Sequence, residues 1–233
     1  MRFSLHFFLL LAFIAPSFAW ANPAVHEEQK SSGPLIAPRK NEPIQLNLQP
    51  TDAKEQYILG QNYDHGNGVP KDQTEAIKWY RKAADQGYAD AQAAIGISYV
   101  WGLGVPQDPA KSTTWFRKAA DQNNSAAQRE LGHRYLNGEG VPQDPVEAVK
   151  WFRKAAEQVD FNAMFFMAIC YERGLGVPQD KVAAYRWHLL VVGPDNPDSV
   201  KFYARQLTDD QIAEAQRLGF EWRRSHRRYY GHK

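Results

Sequence analysis

The chain has 233 residues, and its 28 lysines and arginines almost balance its 26 aspartates and glutamates. The charge is uneven rather than large, because six basic residues lie within residues 217–233 and the body that precedes them is acidic. Cys170 is the only cysteine, which excludes an intramolecular disulfide. We expect its thiol to be buried rather than paired with another chain.

The N-terminal part of the chain carries an unbroken apolar run over residues 7–15. Ala19 and Ala21 then place small side chains at the two positions that a signal peptidase reads. The run is too short to cross a bilayer, which requires about 20 apolar residues in a helix. Residues 1–21 are therefore predicted to be a cleaved secretory signal. The mature chain would begin at Asn22, carry no transmembrane segment, and lie in the periplasm or outside the cell.

Residues 22–51 are rich in Pro, Ser, Lys, Glu and Gln. Proline lacks an amide donor and disfavours helix in the residue before it. The segment also has too few apolar side chains to offset the entropy of ordering its backbone. We therefore predict a disordered, proline-rich tether before the folded part.

Two short blocks recur every 36 residues in the remainder of the chain. Copies of Gly-Val-Pro begin at Gly68, Gly104, Gly140 and Gly176. Copies of Trp-aromatic-Arg-Lys-Ala-Ala begin at Trp79, Trp115 and Trp151, with a degenerate copy at Trp187. An internal period of this length predicts a stack of small units rather than one globular enzyme core.

The second block has the spacing of an amphipathic helix, because Ala76, Trp79, Tyr80 and Ala83 fall at i, i+3, i+4 and i+7. The tryptophan series is therefore interpreted as core, and an aromatic platform for bases or sugars is the less favoured alternative. We expect Trp115→Ala to cost about 3–5 kcal/mol of stability.

An aspartate precedes each of these helices and is interpreted as its N-cap rather than as a catalytic carboxylate. Asp72 with Glu75 predicts a capping box, in which each side chain binds the backbone amide of the other residue. The equivalent aspartates of the other units are Asp108, Asp144 and Asp180.

The first block of each unit also has helical spacing and holds a glycine, at Gly60, Gly96 and Gly132. Glycine inside a helix costs about 0.5–1 kcal/mol relative to alanine, so its return predicts that a neighbouring helix passes very close. Each unit is therefore predicted to be a helical hairpin. A hairpin cannot bury its apolar face alone, so the fold class is all-α, a right-handed α/α solenoid of four repeats.

The end of the array is also recognisable. Residues 197–206 predict a degenerate half repeat, and Thr208 with Gln211 predicts a capping box that opens a last helix. The predicted domains are a solenoid over residues 52–206, a C-terminal capping helix over residues 207–228 and a basic tail end over residues 229–233.

The repeat pattern, most complete from Ala89 to Gln122, resembles the Sel-1-like repeat family, a relative of the tetratricopeptide repeats. The resemblance covers residues 53–206. It implies a scaffold that binds other proteins along a concave surface lined by the first helices, and in bacteria an exported adaptor or a factor that meets host proteins. In one branch of the family a disulfide crosslinks each repeat. This chain departs from that branch because it has only one cysteine.

Specificity is expected where the repeats differ on one exposed side of the first helices. Positions at i, i+4 and i+8 form the predicted strips. The candidate partner-binding residues are Tyr57, Gln61, His65, Ala93, Ile97, Trp101, Arg129, His133, Phe165, Ile169 and Arg173. They predict a mixed apolar and basic groove for a peptide or helix, although packing of some of them against the adjacent hairpin stays an equal alternative.

No catalytic motif is found in the sequence. The histidines lack metal-ligand spacing, and no phosphate-binding loop or GxSxG turn is present. No catalytic residue, metal or cofactor is therefore predicted. The leading interpretation is a non-enzymatic exported scaffold, and the alternatives are an accessory to an envelope or cell-wall hydrolase or an oligomerising component of an export or regulatory complex.

The tail from Trp222 interleaves arginines with aromatic residues. A solvated helix end is the favoured interpretation of these charges. An acidic protein or envelope partner is the second interpretation, and nucleic acid is the least favoured because an exported protein rarely meets it.

Overall fold

The computed structural model describes residues 49–193 and 197–227, all within one compact unit, Pro43–Lys233. The predicted signal, all but the last residues of the predicted tether, and the tail end lie outside the described residues. Every regular element that the described residues form is an α-helix. In chain order these are α1 Ala53–His65, α2 Gln73–Asp85, α3 Ala89–Trp101, α4 Pro109–Asp121, α5 Ser125–Asn137, α6 Pro145–Glu157, α7 Phe161–Arg173, α8 Lys181–Val192, α9 Pro197–Ala204 and α10 Asp209–Ser225.

The helices form consecutive hairpins. The first helices, α1, α3, α5 and α7, begin 36 residues apart and have 13 residues each. From α1 to α7, each helix packs mainly against the helices before and after it in the chain. The predicted all-α solenoid of stacked hairpins is therefore confirmed. None of the described helices is both long and apolar enough to span a bilayer.

The predicted aspartate caps are confirmed. The carboxylates of Asp72, Asp108, Asp144 and Asp180 each accept a hydrogen bond of 2.9–3.0 Å from the amide three residues later. The capping box predicted at α2 is wrong in one of its two hydrogen bonds, because the Glu75 side chain does not bind the Asp72 amide. The Asp72 amide donates to the Tyr63 carbonyl instead, and the Glu75 carboxylate binds Lys78 at 2.7 Å. The box predicted at Thr208 and Gln211 forms completely.

The helix glycines mark a close approach, as predicted. A Cβ at Gly132 would lie 2.7 Å from the Phe152 ring, which is closer than any real side chain would tolerate. The two remaining pairs of this kind are Gly60 with Tyr80 and Gly96 with Phe116. The neighbour is thus the aromatic residue of the second helix in the same hairpin, so glycine lets the two helices of each repeat pack closely.

A second set of glycines fixes how one repeat sits on the next. Gly140 has a φ of 74°, and a Cβ there would run into the Pro109 carbonyl of the preceding second helix. Gly104 and Gly176 meet the carbonyls of Gln73 and Pro145 in the same way. The Gly-Val-Pro loops of the second, third and fourth repeats therefore rest on the first turn of the preceding second helix, which explains why the block keeps its register.

Buried glutamines join consecutive repeats. The Gln128 side-chain oxygen accepts from Gln158 at 2.7 Å, and its side-chain nitrogen donates to the Ala120 carbonyl at 3.1 Å. Gln92 makes the same two bonds with Gln122 and the Ala84 carbonyl. The side-chain oxygen and nitrogen of each buried amide are therefore both hydrogen-bonded. This ladder of glutamines stabilises the stacking of the repeats and leaves neither atom without a partner.

The ladder also has a defined start. Gln56 donates to the Pro50 carbonyl at 3.0 Å and accepts from Gln86 at 2.8 Å. The Pro50 carbonyl therefore occupies the role that Ala84 and Ala120 play for the later repeats. The chain just before α1 replaces the last turn of a preceding helix.

Three of the four repeated tryptophans are buried: Trp79, Trp151 and Trp187. Trp115 is only partly buried and packs at the edge of the cluster around Ile77 and Tyr80. The series is structural, as predicted, but the large loss of stability expected at Trp115 belongs to the buried members. Cys170 is fully buried in the cluster around Met164 and Met167, which agrees with the interpretation of a small buried side chain.

The last helix, α10, packs over the end of the array. The α10 helix packs on α8, where Ala215 joins a buried cluster with Tyr185 and Leu189. The Trp222 ring meets the Trp187 ring edge-on at 6.1 Å. The α10 helix therefore covers the apolar face of the degenerate fourth second helix, α8.

Candidate partner-binding surface

The surface predicted to bind a partner lies on the side of α1, α3, α5 and α7 that the second helices leave uncovered. We call it the first-helix face. Its exposed positions recur with the repeat, because all four helices start in the same register and have the same length. The side chains on these positions are what distinguishes one repeat from another.

The most exposed apolar side chains of the face lie on α1 and α3. Trp101 exposes 68% of its surface, and Ile58 and Ile97 expose 43% each. We call these three residues the apolar patch. Ile97 and Trp101 lie one turn apart and therefore share one side of α3, and exposed apolar side chains that lie together are typical of sites where another molecule binds.

The α7 helix carries a second group of aromatic and aliphatic residues, but these are partly buried. Phe166 stacks on Phe152 with 4.8 Å between ring centroids and meets the His133 ring at 5.8 Å. Phe165 contacts Phe166 edge-on, and Ile169 lies half-buried one turn later. These side chains connect α7 to the rest of the array and leave only part of their surface for a partner.

Arg129 forms ion pairs within the protein and is not free to bind a partner. Its guanidinium donates to Asp160 and to Glu130, each at 3.1 Å, and its side chain is mostly covered. The basic character predicted for the groove therefore does not come from this residue. His133 lies 3.9 Å from the Glu139 carboxylate, which gives the middle of the face a polar character.

Two predicted site residues pack between repeats. Ala93 is buried in the cluster around Phe116 and Leu131. Tyr57 lies between the rings of Tyr80 and Tyr88, at 5.6 and 5.2 Å, and its burial raises the pKa of the phenol to about 12. For these positions, packing against the neighbouring hairpin is the arrangement found.

The remaining predicted residues border the face. Gln61 donates to the Tyr57 hydroxyl at 3.0 Å, and the Nδ1 of His65 lies 2.9 Å from the Gln61 carbonyl. His65 and Arg173 are both exposed at the C-terminal ends of their helices. Together with Trp101 they form the rim of the face at its loop side.

The sequence reasoning missed Ile58 and Phe166, which occupy the same position in α1 and α7. The predicted strips step by four residues, and each such step turns about 40° beyond a full helical turn. Residues at i, i+4 and i+8 therefore do not share one side of the helix. On α3 they run from the buried Ala93 to the exposed Ile97 and Trp101. The exposed line starts one residue later, and a count at 3.6 residues per turn would have found it.

The face offers contact chemistry. Within the described ranges, no group of three His, Cys, Asp or Glu side chains is arranged to hold a metal ion. The titratable groups of the face are engaged with neighbouring side chains or lie at its rim. What the surface provides is exposed apolar area with polar groups around it, which is the composition of a protein interface.

Stacked helical hairpins with variable side chains on one helix row define a repeat protein of the solenoid class. The chain belongs to the Sel1 repeat family. The family model of the Sel1 repeat matches residues 56–88, 89–124, 125–160 and 162–190, which together make up more than half of the chain. Proteins of this family are generally non-catalytic scaffolds for protein interaction.

Two solved structures are similar to this chain. One is a protective antigen with an SLR fold, present in uropathogenic Escherichia coli strains, at 38% identity and a TM-score of 0.64. That match covers 75% of this chain but only 38% of the antigen. The other is a Sel1 repeat protein from Oxalobacter formigenes, at 30% identity and a TM-score of 0.62, covering 73% of this chain and 74% of that protein. A comparison with curated protein sequences gave no significant match.

Proposed function

We propose that this protein is an exported, non-catalytic scaffold that binds a protein partner through the first-helix face. One observation carries the proposal: the apolar patch of Ile58, Ile97 and Trp101 is exposed to solvent on neighbouring first helices. The family's general role as an interaction scaffold supports the same conclusion.

The patch fits an apolar side chain or the apolar face of a helix in the partner. A tryptophan buries about 150–250 Å² when it is covered, and aromatic residues dominate the binding energy of interfaces. Glu139, His133 and the partly covered α7 side chains supply polar and secondary contacts beside it. The expected partner segment therefore carries an apolar anchor for Trp101 and crosses several repeats.

Crosslinking in living cells tests this proposal. A photo-crosslinking amino acid in place of Trp101 should capture one defined partner. The same amino acid in place of Phe220 is the control, because Phe220 is 66% exposed but lies on α10, away from the first helices. Capture of the same proteins from both positions would mean non-specific adhesion and would overturn the assignment of the face.

The affinity of the purified partner gives the quantitative test. Trp101→Ala should weaken binding by about tenfold or more, because a large aromatic side chain that a partner covers contributes strongly to binding. Phe220→Ala should leave the affinity unchanged. Equal affinities for wild type and Trp101→Ala would contradict the proposal.

Export is supported by the apolar run and by the small residues Ala19 and Ala21. Mass spectrometry of the protein recovered outside the cytoplasm should find a chain that begins at Asn22. Replacing both alanines with aspartate should leave the uncleaved form. Recovery of the full-length chain in the cytoplasm would refute export.

A further inference from the structure

The second helices carry their own repeated set of charges. The Arg-Lys pair of the second block recurs on α2, α4 and α6, and its members are Arg81, Lys82, Arg117, Lys118, Arg153 and Lys154. None of these six cations forms an ion pair in the stretches that the structure describes. By contrast, Lys78, Lys111 and Lys150 on the same helices each bind an acidic residue three positions earlier.

These cations are held in place by aromatic neighbours. The Lys154 ammonium lies 4.0 Å above the Trp151 ring centroid. The Arg153 guanidinium donates to the Tyr171 hydroxyl at 3.2 Å. That one bond leaves most of the five N–H donors of the arginine available to a ligand. A cation already fixed in one geometry loses little side-chain entropy when it binds an anion.

A depression opens beside the cations of the third repeat. Its volume is about 430 Å³, and it lies between α6 and the Gly176-Val177 part of the following loop. Val146, Val149 and Val177 line its apolar side, and Val146 exposes 55% of its surface. Lys150, Arg153, Lys154 and Glu157 complete its lining.

The equivalent positions of the other repeats lack this pair of valines. Thr74 and Ile77 stand there in the first repeat, and Ala110 and Thr113 in the second. The Thr113 hydroxyl is already engaged in hydrogen bonding, because its oxygen lies 3.0 Å from the carbonyl oxygens of Pro109 and Glu139. The third repeat thus places two cations that form no ion pair within the described residues beside the exposed Val146 side chain.

We propose that this depression is a second binding site, which takes an acidic protein segment through one apolar side chain and its flanking carboxylates. The apolar side chain would cover Val146 and Val177, and the carboxylates would bind Arg153 and Lys154. Charge complementarity favours an anion, since Lys150 is already neutralised by Glu147 while Arg153 and Lys154 are not. The site goes beyond the proposed function, because it lies on the second helices and not on the first-helix face.

A protein segment suits the depression better than a phosphate polymer. The valine surface offers nothing to a phosphate chain, and Glu157 on the lining repels closely spaced negative charges. An acidic peptide can present one apolar side chain to the valines and place its carboxylates on the cation side. The predicted ligand is therefore short, acidic and interrupted by a leucine or valine.

The test is fluorescence anisotropy with the full chain and a short labelled peptide of glutamates flanking a leucine. Arg153→Gln with Lys154→Gln should weaken binding by about tenfold, as expected when two close charge pairs are lost. The matched control is Arg117→Gln with Lys118→Gln, which removes the same charges beside Ala110 and Thr113 and should change the affinity by less than about twofold. Tyr171→Phe removes the hydrogen bond that fixes Arg153, so it should weaken binding, but by less than the double variant does.

Further variants separate this site from the first-helix face. Val146→Thr should weaken binding of the peptide, whereas Trp101→Ala should not. A peptide with lysine in place of glutamate should not bind. No detectable binding of the acidic peptide, equal losses in both double variants, or tighter binding of inorganic polyphosphate would each overturn the proposal.

Discussion

A missing Cβ decides how closely the two helices of each hairpin approach one another. We expect Gly132→Ala to destabilise the protein by about 1–3 kcal/mol, because the added methyl group would lie 2.7 Å from the Phe152 ring. Urea unfolding followed by circular dichroism measures this loss. Gly219→Ala is the control. Nothing lies within 4 Å of its Cβ position, so alanine there should gain about 0.5–1 kcal/mol.

The repeated tryptophans differ in burial, so their truncation should differ in cost. We expect Trp151→Ala to lose about 3–5 kcal/mol, because its ring is covered between repeats. Trp115→Ala should lose distinctly less, since the Trp115 ring is only partly buried. Equal losses of unfolding free energy in the two variants would contradict this difference.

The Cys170 thiol should react only slowly with thiol-labelling reagents in the folded protein. Its burial raises the pKa of the thiol to about 11, so the folded state keeps the proton at a pH where an unfolded chain loses it. The contribution of this group to stability is therefore complete below the unfolded pKa of about 8.5 and declines as the pH rises toward 11. Thiol labelling at pH about 9 should be slow in buffer and fast in urea. Rapid labelling of the native protein would contradict the burial of Cys170.

At the scale of whole helices, the caps set where each second helix begins. The Asp144 carboxylate accepts from the Glu147 amide at 3.0 Å. We expect Asp144→Ala to cost about 1 kcal/mol, whereas Asp144→Asn should cost much less because an amide oxygen also accepts the bond. Thermal unfolding of the two variants checks the order. A loss in the asparagine variant as large as in the alanine variant would point to charge rather than capping.

The helices and their boundaries could be predicted well, because two sequence markers recur in phase with Asp caps and Gly loops. The side of each first helix that faces solvent could not be fixed as well. Ala93 was predicted to be exposed and is buried, while Ile58 was overlooked and is exposed. The reason is geometric: one residue of error rotates a helix by about 100°, and sequence spacing alone does not show which neighbour covers which side.

The contacts between helices were the least predictable part. The repeating pattern shows that Gly132 needs a close neighbour but not that the neighbour is Phe152. Likewise, the bond from Arg153 to Tyr171 joins residues 18 positions apart, a spacing that no single helix pattern contains. The depression beside Val146 depends on how a helix and a loop about 30 residues apart in the chain pack together, which the sequence pattern does not show.

At the scale of the molecule, the repeats should be separable units. Deleting residues 125–160 joins Asn124 to Phe161, and Asn124 already caps a first helix through its side chain. The Gly176 loop would then rest on Pro109 in place of Pro145. We expect a folded, shorter array whose urea m-value falls by about a quarter, in proportion to the surface lost. A shortened chain without cooperative unfolding would show that the repeats depend on more than their nearest neighbours.

The carbonyl of Pro50 accepts the hydrogen bond from Gln56 that, in later repeats, the end of the preceding second helix accepts. Any polypeptide that presents one main-chain oxygen at that point, followed by an aspartate cap, can therefore initiate the stack. Grafting another family member upstream of Asp52 would require no redesign of the junction. A unit placed upstream would meet Gln56 through the carbonyl at the end of its second helix, as the Ala84 carbonyl meets Gln92 in this chain.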